Sequence, residues 1–128
     1  MTQTMKNKEF ILDYLNAISG KVKTNEILTH YISDQGLIDH INFFDSAFPK
    51  YEMIAEELIA EGNQVILRAR FIGKHEGVFA GIMPSYRQID LPFVVSYFVE
   101  NNKIISHWLM ADQMVLMQQL GIEPAQAH

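Results

Sequence analysis

The spacing of apolar residues changes period near residue 50, and that change restricts the fold more than any other feature. Before it, Phe10, Ile11, Tyr14, Leu15 and Ile18 fall on one helical stripe, and Leu37, Ile38, Ile41 and Phe44 on another. After it, Val65, Leu67, Ala69 and Phe71 alternate with Ile66, Arg68, Arg70 and Ile72, the period of a strand with one face buried. Helices first and strands second, with short turns between the strands, make an α+β protein built on an antiparallel sheet.

The first stripe predicts a helix over 8–18 with Gly20 as its C-cap, and Thr24 is the N-cap of a second helix over 25–31. A third follows Ser33-Asp34-Gln35-Gly36 and ends before Pro49. Residues 51–60 are rich in Glu and Ala, which favour helix. The turn Glu61-Gly62-Asn63 and the clear strand at 64–73 nevertheless make this segment read as the first strand of a hairpin. Residues 73–84 read as a loop and 87–100 as a long third strand, in which Pro92 demands an edge or a bulge. Asn101-Asn102 is a hairpin turn, because Asn tolerates positive φ, and the fourth strand is 103–111. A last helix over 113–120 has Asp112 as N-cap and Gly121 as C-cap, and 122–128 read as a frayed tail. The 128 residues suit a single domain, 1–128, with one core.

Composition excludes several functions. The net charge of -5, with both signs interspersed, supplies no basic patch for nucleic acid or an anionic membrane surface. With no cysteine, there is no disulfide, thiolate nucleophile or Cys-zinc site. The first residues lack the apolar core of a signal peptide, and no apolar run is long enough to cross a bilayer, so a cytoplasmic protein is expected. Nucleophile elbow, phosphate loop and dinucleotide fingerprint are all missing, and His30 and His40 show no metal-ligand spacing.

The chemistry concentrates in residues 101–113. Counting by twos from Ile104 puts Ser106, Trp108, Met110 and Asp112 on one strand face, with Ile105, His107 and Leu109 on the other. A carboxylate beside an indole on a concave face would be a base with a raised pKa. Asp before a helix is also an ordinary N-cap, and the helix dipole lowers its pKa. His75 continues the phase of Val65 to Phe71 and so points inward, where it can act as a general acid; otherwise it is a loop histidine beside Glu76. Arg87 either forks onto a substrate oxygen or sits solvated at a rim.

The residues resemble the SnoaL-like polyketide cyclases, or ester cyclases, of the nuclear transport factor 2-like superfamily. The resemblance covers roughly residues 30–122. It rests on Ala47-Phe48-Pro49 with Tyr51, Gly73-Lys74-His75-Glu76-Gly77-Val78-Phe79, and Gly81-Ile82-Met83-Pro84-Ser85-Tyr86-Arg87. Asn102-Lys103-Ile104, His107-Trp108, Asp112 and Gln119-Leu120-Gly121 complete it. Tyr86 and Ser106 depart from a small residue and a Glu usual in the family. The resemblance implies a cone-shaped curved sheet wrapped on N-terminal helices. It also implies a cavity in which an aspartate, here Asp112, removes a proton next to a carbonyl before an intramolecular aldol closure that uses no metal or organic cofactor. His75 would be the acid or oxyanion donor, and Trp108, Arg87 and Tyr14 would contact an apolar, carbonyl-bearing small molecule. A binding protein of the same fold, without catalysis, and a pure interaction module are the competing expectations. Arg68, Arg70, His107, Ile66 and Leu109 share one sheet phase, expected to be the convex face of a homodimer.

Overall fold

A computed structural model describes residues 2–122. Helices α1 (Gln3–Ile18), α2 (Asn25–Tyr31) and α3 (Gln35–Ala47) precede strands β1 (Glu52–Glu61), β2 (Gln64–Lys74), β3 (Gln88–Glu100) and β4 (Lys103–Ala111), and α4 (Gln113–Gln119) follows. The sheet is antiparallel with the order β1-β2-β3-β4. This is the α+β architecture expected from the sequence, helices first and then an antiparallel sheet.

Side-chain caps set the helix starts: Thr2, Thr24, Asp34 and Asp112 each accept a backbone N–H from the first turn. Thr2 begins α1 earlier than its apolar stripe predicts. Asn7, on that added turn, is buried and donates to the Gly62 carbonyl at 3.2 Å, which ties the helix to the β1–β2 turn. Segment 52–61 is a strand despite its helix-favouring composition, because along its whole length it pairs with β2, from Glu52↔Ile72 to Glu61↔Gln64. Asn101 and Asn102 both have positive φ and make a two-residue turn whose hand suits strand twist. Ile122, expected in the frayed tail, donates its N–H to the Met117 carbonyl at 2.9 Å and closes α4; 123–128 lie outside the described residues.

The inner sheet face, from Val65, Leu67, Ala69 and Phe71 on β2 to Leu91, Phe93, Val95 and Tyr97 on β3, packs against Ile11, Tyr14, Ile18, Leu37 and Ile41 of the helices. Pro92 lies on an interior strand, yet one residue past the last β3–β4 pair, Phe93↔Ala111. Where β4 has ended, the Gln119 side chain takes its place, accepting from Asp90 N–H at 2.7 Å and donating to Asp90 C=O at 2.8 Å. A proline therefore costs no ladder bond there.

Two bulges bend the sheet, at Glu56 in β1 and at Ile105 in β4. The second overturns the strand phase expected for residues 104–112. Val99 pairs with Ile104 but Phe98 with Ser106, so Ile105 is an extra residue. Beyond it His107, Leu109 and Ala111 turn inward, while Ser106, Trp108 and Met110 turn outward. Arg68, Arg70 and Ile66 do occupy the outer face as expected; His107 and Leu109 do not, and Trp108 (50% exposed) and Met110 (69%) stand in their place.

Candidate active site

Between the concave sheet and α1, α3 and α4 lies a cavity with about 80 Å³ of space for water-sized molecules. Its walls are apolar (Leu37, Ile41, Phe44, Met53, Phe71, Leu91, Phe93, Val95, Leu109, Ala111 and Leu116), and its polar atoms come from Tyr14, Tyr51, Tyr97, His40 and Gln113. Among the described residues, none of those lining it carries a permanent charge.

The helical period that buries α1 places Tyr14 there, with its ring edge-on to Tyr97 at 5.7 Å. Burial pushes Tyr97 and Tyr51 well above the ordinary phenol range, and does the same to Tyr14, partly offset by a hydrogen bond from Tyr97. All three are therefore protonated at neutral pH; with Tyr97 donating to Tyr14, the Tyr14 and Tyr51 hydroxyls remain as donors in this low-dielectric space.

His40 reaches the cavity because it lies on the inner stripe of α3, in step with Leu37, Ile41 and Phe44, and its ring meets Phe44 at 4.6 Å. Burial first, and the neighbouring His107 second, hold its pKa below the ordinary imidazole value. At neutral pH it is a free base. The His107 ring lies 6.4 Å away, opposite Tyr97 in the β3–β4 ladder. Asp34 is shared between two partners. One oxygen caps α3 by accepting the Leu37 N–H at 3.3 Å; the other lies 2.7 Å from His107 Nδ1. A carboxylate oxygen accepts here, so the hydrogen of this contact sits on Nδ1.

Of the residues singled out by sequence, the structure places Tyr14 on the cavity wall. Asp112 is exposed, and one of its oxygens accepts both the Met114 and Val115 N–H groups at 3.0 and 3.1 Å. Its neighbours Ala111 and Gln113 line the cavity and Asp112 does not, so the expectation of a carboxylate buried against an indole is corrected. Trp108 stands on the outer face for the same reason, the bulge at Ile105. His75 points inward as its phase requires and is fully buried, but against Phe48 (5.5 Å) rather than beside Asp112 in the cavity. Its Nδ1 accepts the Ser85 N–H at 3.1 Å and lies 2.9 Å from Ser85 Oγ, while Nε2 is unpartnered among the described residues. Arg87 is exposed and lies flat on the end of α4, where a methyl group on Gly121 would fall 2.6 Å from its Cζ. A cation there suits the carbonyl end of a helix.

Sequence reading assigns no cavity role to His40, Asp34 or His107: it weighs His40 only as a metal ligand and expects His107 on the convex face. For His40 the signal was present, its i, i+3, i+4 phase with Leu37, Ile41 and Phe44. For the Asp34–His107 pair no local signal exists.

The profile of the SnoaL-like polyketide cyclase family matches residues 12–120, and the chain belongs to that family. No curated protein matches the sequence. Among solved structures, AclR of Streptomyces galilaeus, described as a candidate hydroxylase, superposes with a TM-score of 0.80 at 20% identity, covering 93% of this chain and 83% of its own. A candidate SnoaL-like polyketide cyclase from Jannaschia sp. CCS1 gives 0.83 at 19% identity, over 97% of this chain and 98% of that one. A SnoaL-like polyketide cyclase from Agrobacterium tumefaciens gives 0.73 at 20%, over 94% and 100%. At these identities the likeness is one of fold.

Proposed function

We propose that this protein is an enzyme that moves a proton next to a carbonyl in an uncharged, mostly apolar molecule and closes a ring by intramolecular aldol addition, without a metal or organic cofactor. The observation that carries this reading is the pairing of a neutral imidazole with tyrosine O–H donors in an otherwise apolar cavity. Such a space favours a neutral ligand, because an ion entering it would lose its hydration without gaining a counter-charge. His40, with the Asp34-held His107 beside it, takes the proton from the carbon; the C–H electrons pass to the carbonyl oxygen as an enolate. A tyrosine hydroxyl donates to that oxygen as charge develops, which is worth most where water is excluded. The enolate carbon then attacks a second carbonyl of the same molecule. One C–C bond forms, the π electrons move to oxygen, and the imidazolium returns its proton to that alkoxide, so the sequence is redox-neutral.

The basis for moving the base from Asp112 to the histidines is geometric, since Asp112 is exposed, lies off the cavity wall, and gives one oxygen to two N–H groups of α4. The test is hydrogen exchange in D2O, followed by NMR, of an aromatic ester bearing a 1,3-dicarbonyl side chain. The wild-type protein should speed exchange at the acidic carbon, and His40→Gln should bind the compound while losing that exchange. Binding without exchange by the wild type would replace the enzyme with a small-molecule-binding protein of the same fold.

The same reading includes a homodimer. Trp108 and Met110 are joined on the outer sheet face by exposed Ile54, Ile59 and Phe98, an apolar surface that a second copy would cover.

A further inference from the structure

Among the described residues, Lys23 is the one buried lysine. It lies between α1 and α2, with its side chain wholly enclosed. Its Nζ donates to the carbonyls of Lys21 (3.2 Å) and Tyr51 (3.1 Å), lies 3.4 Å from Asp45 Oδ1 on α3, and sits 4.0 Å from the centre of the Tyr51 ring. Tyr51 stacks on Phe71 at 4.4 Å and is itself part of the cavity wall. The Tyr51 carbonyl also accepts the Gly20 N–H at 2.9 Å, so backbone and ring are both held.

A buried ammonium is expensive. Desolvation pulls the Lys23 pKa down, opposed by the charge of Asp45 and its hydrogen bond. Clamping a loop does not require that expense, since a methionine or leucine fills such a space without it. What the charge adds is a field across an aromatic ring that forms part of the cavity wall. A cation over a phenol attracts its π electrons and favours the phenolate, which makes the O–H a stronger donor. Asp45 acts on the same ring with the opposite sign and helps keep Tyr51 protonated, after burial and Tyr14.

We propose that Lys23 is a positioning residue that acts through Tyr51: its enclosed ammonium fixes the ring and polarises the phenol, so that the Tyr51 hydroxyl is the donor that meets negative charge developing on a bound oxygen. The role of Tyr51 toward substrate rests on the proton-transfer reading above; the coupling of Lys23 to Tyr51 does not.

The two parts are tested separately on the full chain. With 3,5-difluorotyrosine at position 51, whose phenol titrates nearer neutrality, the fluorine NMR titration midpoint should rise by about one pH unit in Lys23→Met and fall in Asp45→Asn. Lys23→Arg should leave it close to wild type. Both Lys23→Met and Asp45→Asn break the same ion pair, so a purely structural clamp moves the midpoint in one direction or not at all, and either result overturns the proposal. Should Lys23→Met fail to fold, Asp45→Asn and Lys23→Arg still carry the sign. In turnover, Lys23→Met should lower kcat tenfold or more with KM nearly unchanged, and Lys23→Arg should restore it. Equal losses of kcat in both variants overturn the catalytic part. If the wild type exchanges no substrate, the proton-transfer reading fails, while the titration still decides the coupling.

Discussion

Asp34 performs two tasks with two oxygens, and two substitutions separate them. Asp34→Asn keeps an oxygen for the Leu37 N–H, since Asn caps about as well as Asp, but gives up the carboxylate facing His107. Asp34→Ala gives up both. A hydrogen bond to a charged group contributes about 1.5–3 kcal/mol, and the His107 contact lies near the lower end because both side chains retain some exposure, 18% and 19%. The cap is worth about 0.5–2 kcal/mol. Asp34→Asn should therefore destabilise the fold by about 1–1.5 kcal/mol, and Asp34→Ala by about 2–3 kcal/mol. Urea unfolding of both, with His107→Gln and the Asp34→Asn/His107→Gln double variant, closes a cycle whose coupling should be about 1 kcal/mol. Additive effects would mean that the 2.7 Å contact contributes nothing, and equal costs for the two Asp34 variants would mean that the cap does not. Either result would undo the account of how His107 is held at the cavity edge.

The lowered pKa of His40 carries a pH dependence whose sign follows from linkage. Its folded pKa lies below the unfolded value of about 6.5, so as pH falls through that value the unfolded chain takes up the proton first and stability is lost. Unfolding measured from pH 7.5 down to 5 should show a smaller loss in His40→Gln than in wild type; parallel curves would refute the burial. Asp112→Asn should leave stability within a few tenths of a kcal/mol and turnover at the wild-type rate, whereas Asp112→Ala should cost about 1 kcal/mol. A collapse of turnover in Asp112→Asn would return the catalytic role to that carboxylate. Light scattering should find a dimer at micromolar concentration, converted to monomer by Trp108→Glu; a monomeric wild type would sink the proposed interface.

Much of the architecture is local and so was readable along the chain. The alternation of Val65, Leu67, Ala69 and Phe71, the stripe of α1 that buries Tyr14, the turn at Asn101-Asn102 and the cap at Asp112 each depend on a few neighbouring residues. The capping role of Asp112 was legible in the same way, while its expected burial depended on counting by twos through β4. That count fails at Ile105. Whether a strand absorbs an extra residue depends on its partners, here β3 on one side and the bridge from Ile32 that seats Ile104 in the core. One inserted residue exchanges the faces of everything beyond it, sending Trp108 to the outside and His107 to the cavity edge. Asp34 meets His107, and Lys23 meets Asp45 and Tyr51, across long stretches of chain. Periodicity reports only which face of its own element a residue occupies. Which faces then meet is decided by packing, and the titratable groups around this cavity come together only there.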